Sequence, residues 1–358
     1  MVKIILKIIL SNLLYFMVNF LNIFYNLLKK NKYTERKLRL IINQTLDKLE
    51  KIFYPYPQKL IEYRKYPPKK TVLFSFGGTG DIAIFSSFTF YLKSKYPRSK
   101  LISLIYKNNR NLYVASLDPS IDKVIPIELP RFFNFSHIEK IKKKYNFDLF
   151  IYLSYYPNLR FLMPNIKFIH MPYFIARDIP MKIPPPRLKL DFQVKKENYI
   201  FINFDILTFN FSDNYLQDKE VNFLLEKLTV RFPKINFLVN DYEKRIKVKR
   251  KNLLIFSADY KSLLKKAACS KLFISFRNGL CDVVAASTKN LPMLIIFPED
   301  NYPNKWGTPF SVVFGMKEIG YPNPIEEYNF NKKKDKTLNL LFGKIVNFIN
   351  KNYGQQSN

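Results

Sequence analysis

The N-terminal stretch from Ile4 to Leu28 is mostly apolar, and no acidic residue occurs before Glu35. Its polar positions are ordered. Lys3, Lys7, Ser11, Asn19, Asn22, Asn26 and Lys30 recur at helical spacing and fall on one side of a helical wheel, while Leu6, Leu10, Leu13, Leu14, Met17, Phe20, Leu21, Phe24 and Leu28 fill the rest. The pattern suits an amphipathic helix lying in a membrane interface, with lysines meeting headgroups. About 20 apolar residues also suffice to cross a bilayer, and packing against protein is a third arrangement of the same face. The flank Lys29, Lys30, Lys32, Arg36, Lys37 and Arg39 is basic, which beside a membrane favours the cytoplasmic side. No short apolar core ends in a small-residue cleavage site, so a cleaved signal peptide is not expected. Residues 34–64 continue as a charged segment expected to be helical, broken at Pro55 and Pro57 and ended by Pro67-Pro68.

From Lys70 the texture changes. Thr71 to Phe76 is a short apolar, partly β-branched run and predicts a buried strand. Ile82 to Lys95 predicts a helix, with Ile82, Phe85, Phe88 and Leu92 spaced for a core face. Strands follow at Lys100–Tyr106, Lys123–Ile127, Asp148–Leu153 and Asn165–His170, with a helix at Ser136–Tyr145. Pro172 to Asp191, which holds Pro180, Pro184, Pro185 and Pro186, reads as a crossing between two units. The pattern then restarts with strands at Tyr199–Phe204, Ile235–Asn240, Leu253–Ser257, Lys271–Phe276 and Pro292–Phe297. Helices are predicted at Asp218–Arg231, Tyr260–Ala268 and Leu280–Ser287, and Lys336–Lys351 closes the chain as an amphipathic helix. Alternating strands and helices imply an α/β fold, here two doubly wound Rossmann-like units facing a cleft. The expected parts are a membrane-associated segment (1–66), a first unit (67–180), a second unit (181–335) and a closing helix and tail (336–358).

Composition narrows the classes. The 358 residues carry 59 Lys plus Arg against 28 Asp plus Glu, a formal net charge of +31. With 47% hydrophobic residues, including 34 Phe and 24 Tyr, the bulk of the chain can bury a core and is not disordered. The charge suits anionic partners, but no Arg-rich stripe or recognition motif accompanies it, so nucleic acid is not expected. Two cysteines, Cys269 and Cys281, exclude a disulfide scaffold and a Cys-based zinc site. Cys281 has neither His137 nor His170 near it in sequence and is not expected to act as a nucleophile. Each of those histidines reads as structural.

Two strand-to-helix loops could carry chemistry. In the first, Gly77-Gly78-Thr79-Gly80-Asp81, glycines let the backbone approach a ligand and the helix start offers free N–H groups to an anion. It lacks the Lys-Ser/Thr spacing of a P-loop and the G-x-G-x-x-G of a dinucleotide fingerprint. Asp81 either faces the cleft or simply caps the helix. In the second, Ser275-Phe276-Arg277-Asn278-Gly279-Leu280-Cys281-Asp282, Arg277 could bind a phosphate through two parallel hydrogen bonds, helped by the helix N-terminus, while Asp282 accepts from a sugar hydroxyl. The plain alternative is that Arg277 pairs with a local acid. A third stretch, Phe297 to Gly307, contains Glu299 and the single Trp, Trp306; its acids either hold sugar hydroxyls or belong to a surface loop.

At these loops the sequence resembles glycosyltransferases of the two-Rossmann-domain (GT-B) type, most of all the heptosyltransferase family, glycosyltransferase family 9. Gly80-Asp81 and Tyr96-Pro97-Arg98-Ser99-Lys100-Leu101 match its opening phrases; Ile274 to Ala286, Leu291 to Pro298 and Trp306-Gly307 are similar to its later ones. The resemblance covers roughly residues 71–310. The family's D-[ST]-G-x-x-H loop is replaced by Phe276 to Asp282, with no histidine. That wording looks more like related bacterial surface-polysaccharide transferases, and resembles fucosyltransferase-like enzymes in which an arginine binds the donor pyrophosphate. The resemblance implies a metal-independent transferase that needs no cofactor and uses a nucleotide-sugar as co-substrate. The second unit would hold the donor through Ser275, Asn278, Gly279, Leu280, Asp282 and Glu299. The first would hold a glycan or lipid-linked acceptor around Gly77, Gly78, Thr79 and Gly80. Asp81 and Arg277 would be catalytic, at the cytoplasmic face of the inner membrane. This reading requires the two turns to share a crevice, and the Arg277 guanidinium not to be consumed by an ion pair of its own.

Overall fold

The computed structural model describes residues 61–75, 77–128, 135–153, 170–176, 178–204, 216–242, 244–298, 322–331 and 337–353. The 4–28 apolar segment, most of the 165–170 strand, Glu299 and the loop around Trp306 lie outside them. Among the described residues no helix is long and apolar enough to cross a membrane.

The first sheet contains β1 (Ile61–Tyr63), β2 (Lys70–Ser75), β3 (Lys100–Tyr106), β4 (Lys123–Ile127) and β5 (Leu149–Leu153) in the order β1-β5-β2-β3-β4. All pairs are parallel except β1 on β5, where Glu62 faces Phe150. The helix expected over 34–64 is therefore corrected at its end: Ile61–Tyr63 is an edge strand, anchored where Arg64 N–H donates to Asp148 O at 2.7 Å. Thr71 to Ser75 and all of β5 are buried, as strands covered on both faces must be, and their unbroken apolar runs reflect that. The connecting helices are α1 (Thr79–Lys95), α2 (Asn109–Ser116) and α3 (Phe135–Lys144). Helix α2 had no counterpart in the sequence reading. Its N-cap Asn108 accepts from the backbone of Arg110 and Asn111, a polar signal that the short, weakly apolar run NRNLYVAS obscures.

A one-turn helix, α4 (Met171–Ile175), leads into the proline-rich crossing. The crossing is no free linker. Arg187 N–H donates to Ser86 Oγ (2.8 Å), Leu188 N–H to Ala286 O (2.9 Å) and Lys189 N–H to Leu117 O (2.7 Å), so it is stitched to both halves of the chain.

The second sheet is parallel throughout. Its strands are β6 (Tyr199–Asn203), β7 (Asn236–Asn240), β8 (Leu253–Phe256), β9 (Leu272–Phe276), β10 (Met293–Pro298) and β11 (Ile325–Phe330), in the order β11-β10-β9-β6-β7-β8. Strand β11 does not announce itself in the sequence: IEEYNF carries two glutamates and sits at an edge, where only one side needs a partner. The helices are α5 (Asp218–Arg231), α6 (Tyr260–Cys269), α7 (Gly279–Ser287) and α8 (Thr337–Tyr353).

Alternate side chains of this sheet separate two cores. Ile200, Ile202, Ile274, Leu294 and Ile296 pack with α5 and α8 residues such as Leu224, Leu228, Leu341 and Ile345. The opposite face, with Phe201, Phe273, Met293 and Ile295, joins the core that also holds Val72, Phe74, Phe88 and Leu104 of the first unit. One apolar cluster thus runs through the junction. This explains why α1 is apolar almost all round, with Ile82, Ala83, Ile84, Phe85, Phe88 and Leu92 buried: it is covered both by its own sheet and by α7.

Candidate functional site

In each sheet the chain's direction of winding reverses beside its first parallel strand: between β2 and β5 in one sheet, and between β6 and β9 in the other. The carboxyl ends of strands at such reversals form crevices where ligands of open α/β sheets bind. The glycine loop follows β2 and the arginine loop follows β9, so topology places both turns at these points.

The two turns meet. An added Cβ on Gly279 would lie 2.6 Å from Thr79 Oγ1 and 3.0 Å from Gly80 N, and one on Gly80 would lie 3.1 Å from the Gly279 Cα and collide with the Asp282 carboxylate. Only glycines permit this approach of one helix start to the other. Two helix N-termini carry partial positive charge, so abutting them is unfavourable unless acids are supplied. Asp81, in the first turn of α1, and Asp282, in the first turn of α7, are those acids.

Asp81 accepts a 2.7 Å hydrogen bond from Gly78 N–H, so it does cap its helix. Burial raises its pKa to about 6; the Gly78 N–H opposes the rise, the Asp282 charge adds to it and Arg277 reduces it. Asp282 is buried at 2% exposure. Its carboxyl is also held above the ordinary range by burial, against the pull of Arg277.

Arg277 donates from its two terminal nitrogens to the Asp282 oxygens at 2.6 and 2.8 Å, and to Asn278 O at 2.8 Å. It is 8% exposed. The condition set by the sequence, that the guanidinium not be consumed by an ion pair of its own, is not met: Arg277 holds a buried bidentate pair with its own helix, so the expected catalytic contact of Arg277 with a leaving phosphate is corrected. The pairing is local because one turn of helix brings residue 282 back over the strand end that carries 277. Asp282 likewise is occupied rather than open to a sugar hydroxyl.

Around this centre lies a buried polar chain that the sequence reading missed in part. Asn240 donates to Asn203 Oδ1 (2.9 Å), and Asn203 donates to Ser275 Oγ (3.2 Å). Asn278 caps α7 by accepting from Leu280 N–H at 2.9 Å. Asn203 and Asn240 each follow an apolar run, Ile200-Phe201-Ile202 and Phe237-Leu238-Val239, a signal readable from sequence. On the other side Asn111 donates to Gly77 O at 2.8 Å and ties α2 to the glycine loop. Tyr260 is half-buried against this cluster with its hydroxyl buried; burial pushes its phenol pKa up, Thr79 and Arg110 pull it down, and Asp282 pushes it further up. The Cys281 thiol donates to Phe276 O, and burial pushes its pKa to about 11, so it stays protonated. Among the described residues no three His, Cys, Asp or Glu gather to hold a metal ion.

No family model and no curated protein matches this sequence. Solved structures match the fold. The glycosyl transferase family 9 protein from Veillonella parvula superposes with a TM-score of 0.51 at 11% identity, over 78% of this chain and 89% of that one. The E. coli heptosyltransferase WaaC solved with ADP gives 0.54 at 12%, over 78% and 99%. The E. coli ADP-heptose lipopolysaccharide heptosyltransferase II gives 0.54 at 11%, over 79% and 99%. The chain is similar to these enzymes in fold across nearly their whole length.

Proposed function

We propose that the protein is a nucleotide-sugar-dependent glycosyltransferase that moves a sugar to a cell-surface glycan or its lipid-linked precursor. The observation that carries this reading is the meeting of the two switch-point turns, which puts a carboxylate of raised pKa beside the donor-side turn. The fold shared with heptosyltransferases, one of them solved with ADP, supports the same class. The two Rossmann-like units form the GT-B arrangement, with the first unit serving the acceptor and the second the donor. An acceptor hydroxyl attacks the anomeric carbon, the bond from that carbon to the diphosphate oxygen breaks, and Asp81 takes the hydroxyl proton. A base with a pKa near 6 is deprotonated at neutral pH and still basic enough for the task. In this scheme the two turns part to admit the donor, the α7 N-terminus then meets the departing diphosphate, and Arg277 keeps Asp282 neutralised beneath it. Gly77, Gly78, Thr79 and Gly80 shape the acceptor side; Ser275, Asn278, Gly279 and Leu280 shape the donor side, and Glu299 is a further candidate donor contact. No metal or cofactor enters this scheme. The apolar, basic-flanked N-terminal segment would hold the protein at the cytoplasmic face of the inner membrane, where lipid-linked acceptors are built.

The burial of Arg277 favours one other reading: a non-catalytic relative that binds nucleotide or glycan at the same junction and acts as an assembly partner. A calorimetric screen of nucleoside diphosphates and their sugars, followed by a transfer assay on wild type and Asp81→Asn, separates the two. Donor binding with transfer lost in Asp81→Asn supports the enzyme. Donor binding without hydrolysis or transfer in wild type favours the relative, and no binding at all counts against both.

A further inference from the structure

The transferase reading needs a cation for the donor diphosphate, and Asp282 already engages Arg277 with both carboxylate oxygens. A second guanidinium stands at the same junction. Arg110 lies in the first turn of α2, directly before Asn111, whose side chain donates to Gly77 O. It is half-buried and forms no ion pair among the described residues. Its guanidinium carbon lies 5.7 Å from the centroid of the Tyr242 ring, which follows β7 in the second unit and is 49% exposed. Arg110 therefore reaches from one unit to the carboxyl edge of the other sheet, and its charge is felt at the buried hydroxyl of Tyr260 beside Thr79.

A planar guanidinium against an aromatic face, with no carboxylate of the described residues on its fork, keeps its paired N–H donors for two oxygens of a phosphate. Water and a neutral sugar do not require that charge, whereas a diphosphate lacking a metal does. We propose that Arg110 is the residue that binds the diphosphate of the nucleotide-sugar, bridging the first unit to the donor face of the second. The inference rests on the transferase reading and assigns the anion contact of that site to a residue outside both glycine turns.

The test uses the full chain. ADP, UDP, GDP, the corresponding monophosphates and inorganic pyrophosphate are titrated calorimetrically into wild type, Arg110→Gln and Arg110→Lys, with thermal unfolding of each protein without ligand. Arg110→Gln should bind the preferred nucleoside diphosphate at least tenfold more weakly, lose less affinity for the monophosphate, and unfold at the wild-type temperature. Arg110→Lys should recover part of the loss, since it restores charge without the fork. If wild type binds a diphosphate and Arg110→Gln binds it equally well, the assignment to Arg110 is overturned while the transferase reading stands. Equal losses for mono- and diphosphate, or a loss matched by a fall in unfolding temperature, overturn it as well. Absence of any binding by wild type removes the transferase reading and this inference together.

Discussion

Replacing Arg277 by alanine separates a structural pair from a ligand clamp. The guanidinium is 8% exposed and its partner Asp282 2%, with charge-assisted bonds of 2.6 and 2.8 Å between them. Removing one member of such a pair leaves the other charge buried without compensation, which costs about 3–5 kcal/mol. For a domain of this size each kcal/mol lowers the unfolding midpoint by about 2–4 °C, so a fall of roughly 6–20 °C is expected at pH 7.5. The pH dependence has a definite sign. Burial already holds the Asp282 carboxyl above its ordinary range, and losing Arg277 raises it further. A carboxyl whose folded pKa lies above its unfolded value destabilises the fold as pH rises, so the variant should lose less stability at pH 5 than at pH 7.5. Converting the partner too, Arg277→Met with Asp282→Leu, should recover most of the loss, because a well-packed apolar pair leaves no buried charge. Urea unfolding across this pH range measures all three. A single variant within about 1 kcal/mol of wild type at pH 7.5 would refute the reasoning, and nucleotide binding lost without a change in stability would return Arg277 to the role of clamp.

Three further outcomes are expected. Gly279→Ala, whose Cβ would lie 2.6 Å from Thr79 Oγ1, should overpack the junction and cost about 1–3 kcal/mol, seen as a lower urea midpoint with an unchanged m-value. Asp118 is buried, accepts from Thr89 Oγ1 and Ser120 N–H, and has its pKa raised by burial to about 6. Against an unfolded value of about 3.9, its contribution falls as pH rises from about 4 to about 6, by about 2–3 kcal/mol, and Asp118→Asn should flatten that slope in pH-dependent unfolding. Under the transferase reading, turnover should rise through pH about 6 as Asp81 deprotonates, and Asp81→Asn should abolish turnover while leaving nucleotide affinity within a factor of about three.

The sequence by itself determined the class of the fold and the positions of its two informative turns. Buried parallel strands need unbroken apolar runs, so Val72-Leu73-Phe74 and Leu272-Phe273-Ile274 announce themselves, and a glycine-bearing loop soon after such a run marks a strand's carboxyl end. Elements whose burial is one-sided or borrowed were not legible: β1 and β11 are edges, and α2 has few apolar positions of its own. The partners of the charged residues were decided only in three dimensions. Nothing in the spelling Arg-Asn-Gly-Leu-Cys-Asp states whether residue 277 points outward or turns back onto residue 282, because that depends on α1 pressing against α7 and excluding water from both. The same holds for Arg110, an unremarkable cation along the chain that stands over a tyrosine 132 positions later only because two sheets share one apolar core. Hydrophobic pattern is local and survives in one dimension. Desolvation and charge pairing depend on what packs across the junction, and those distances exist only in the fold.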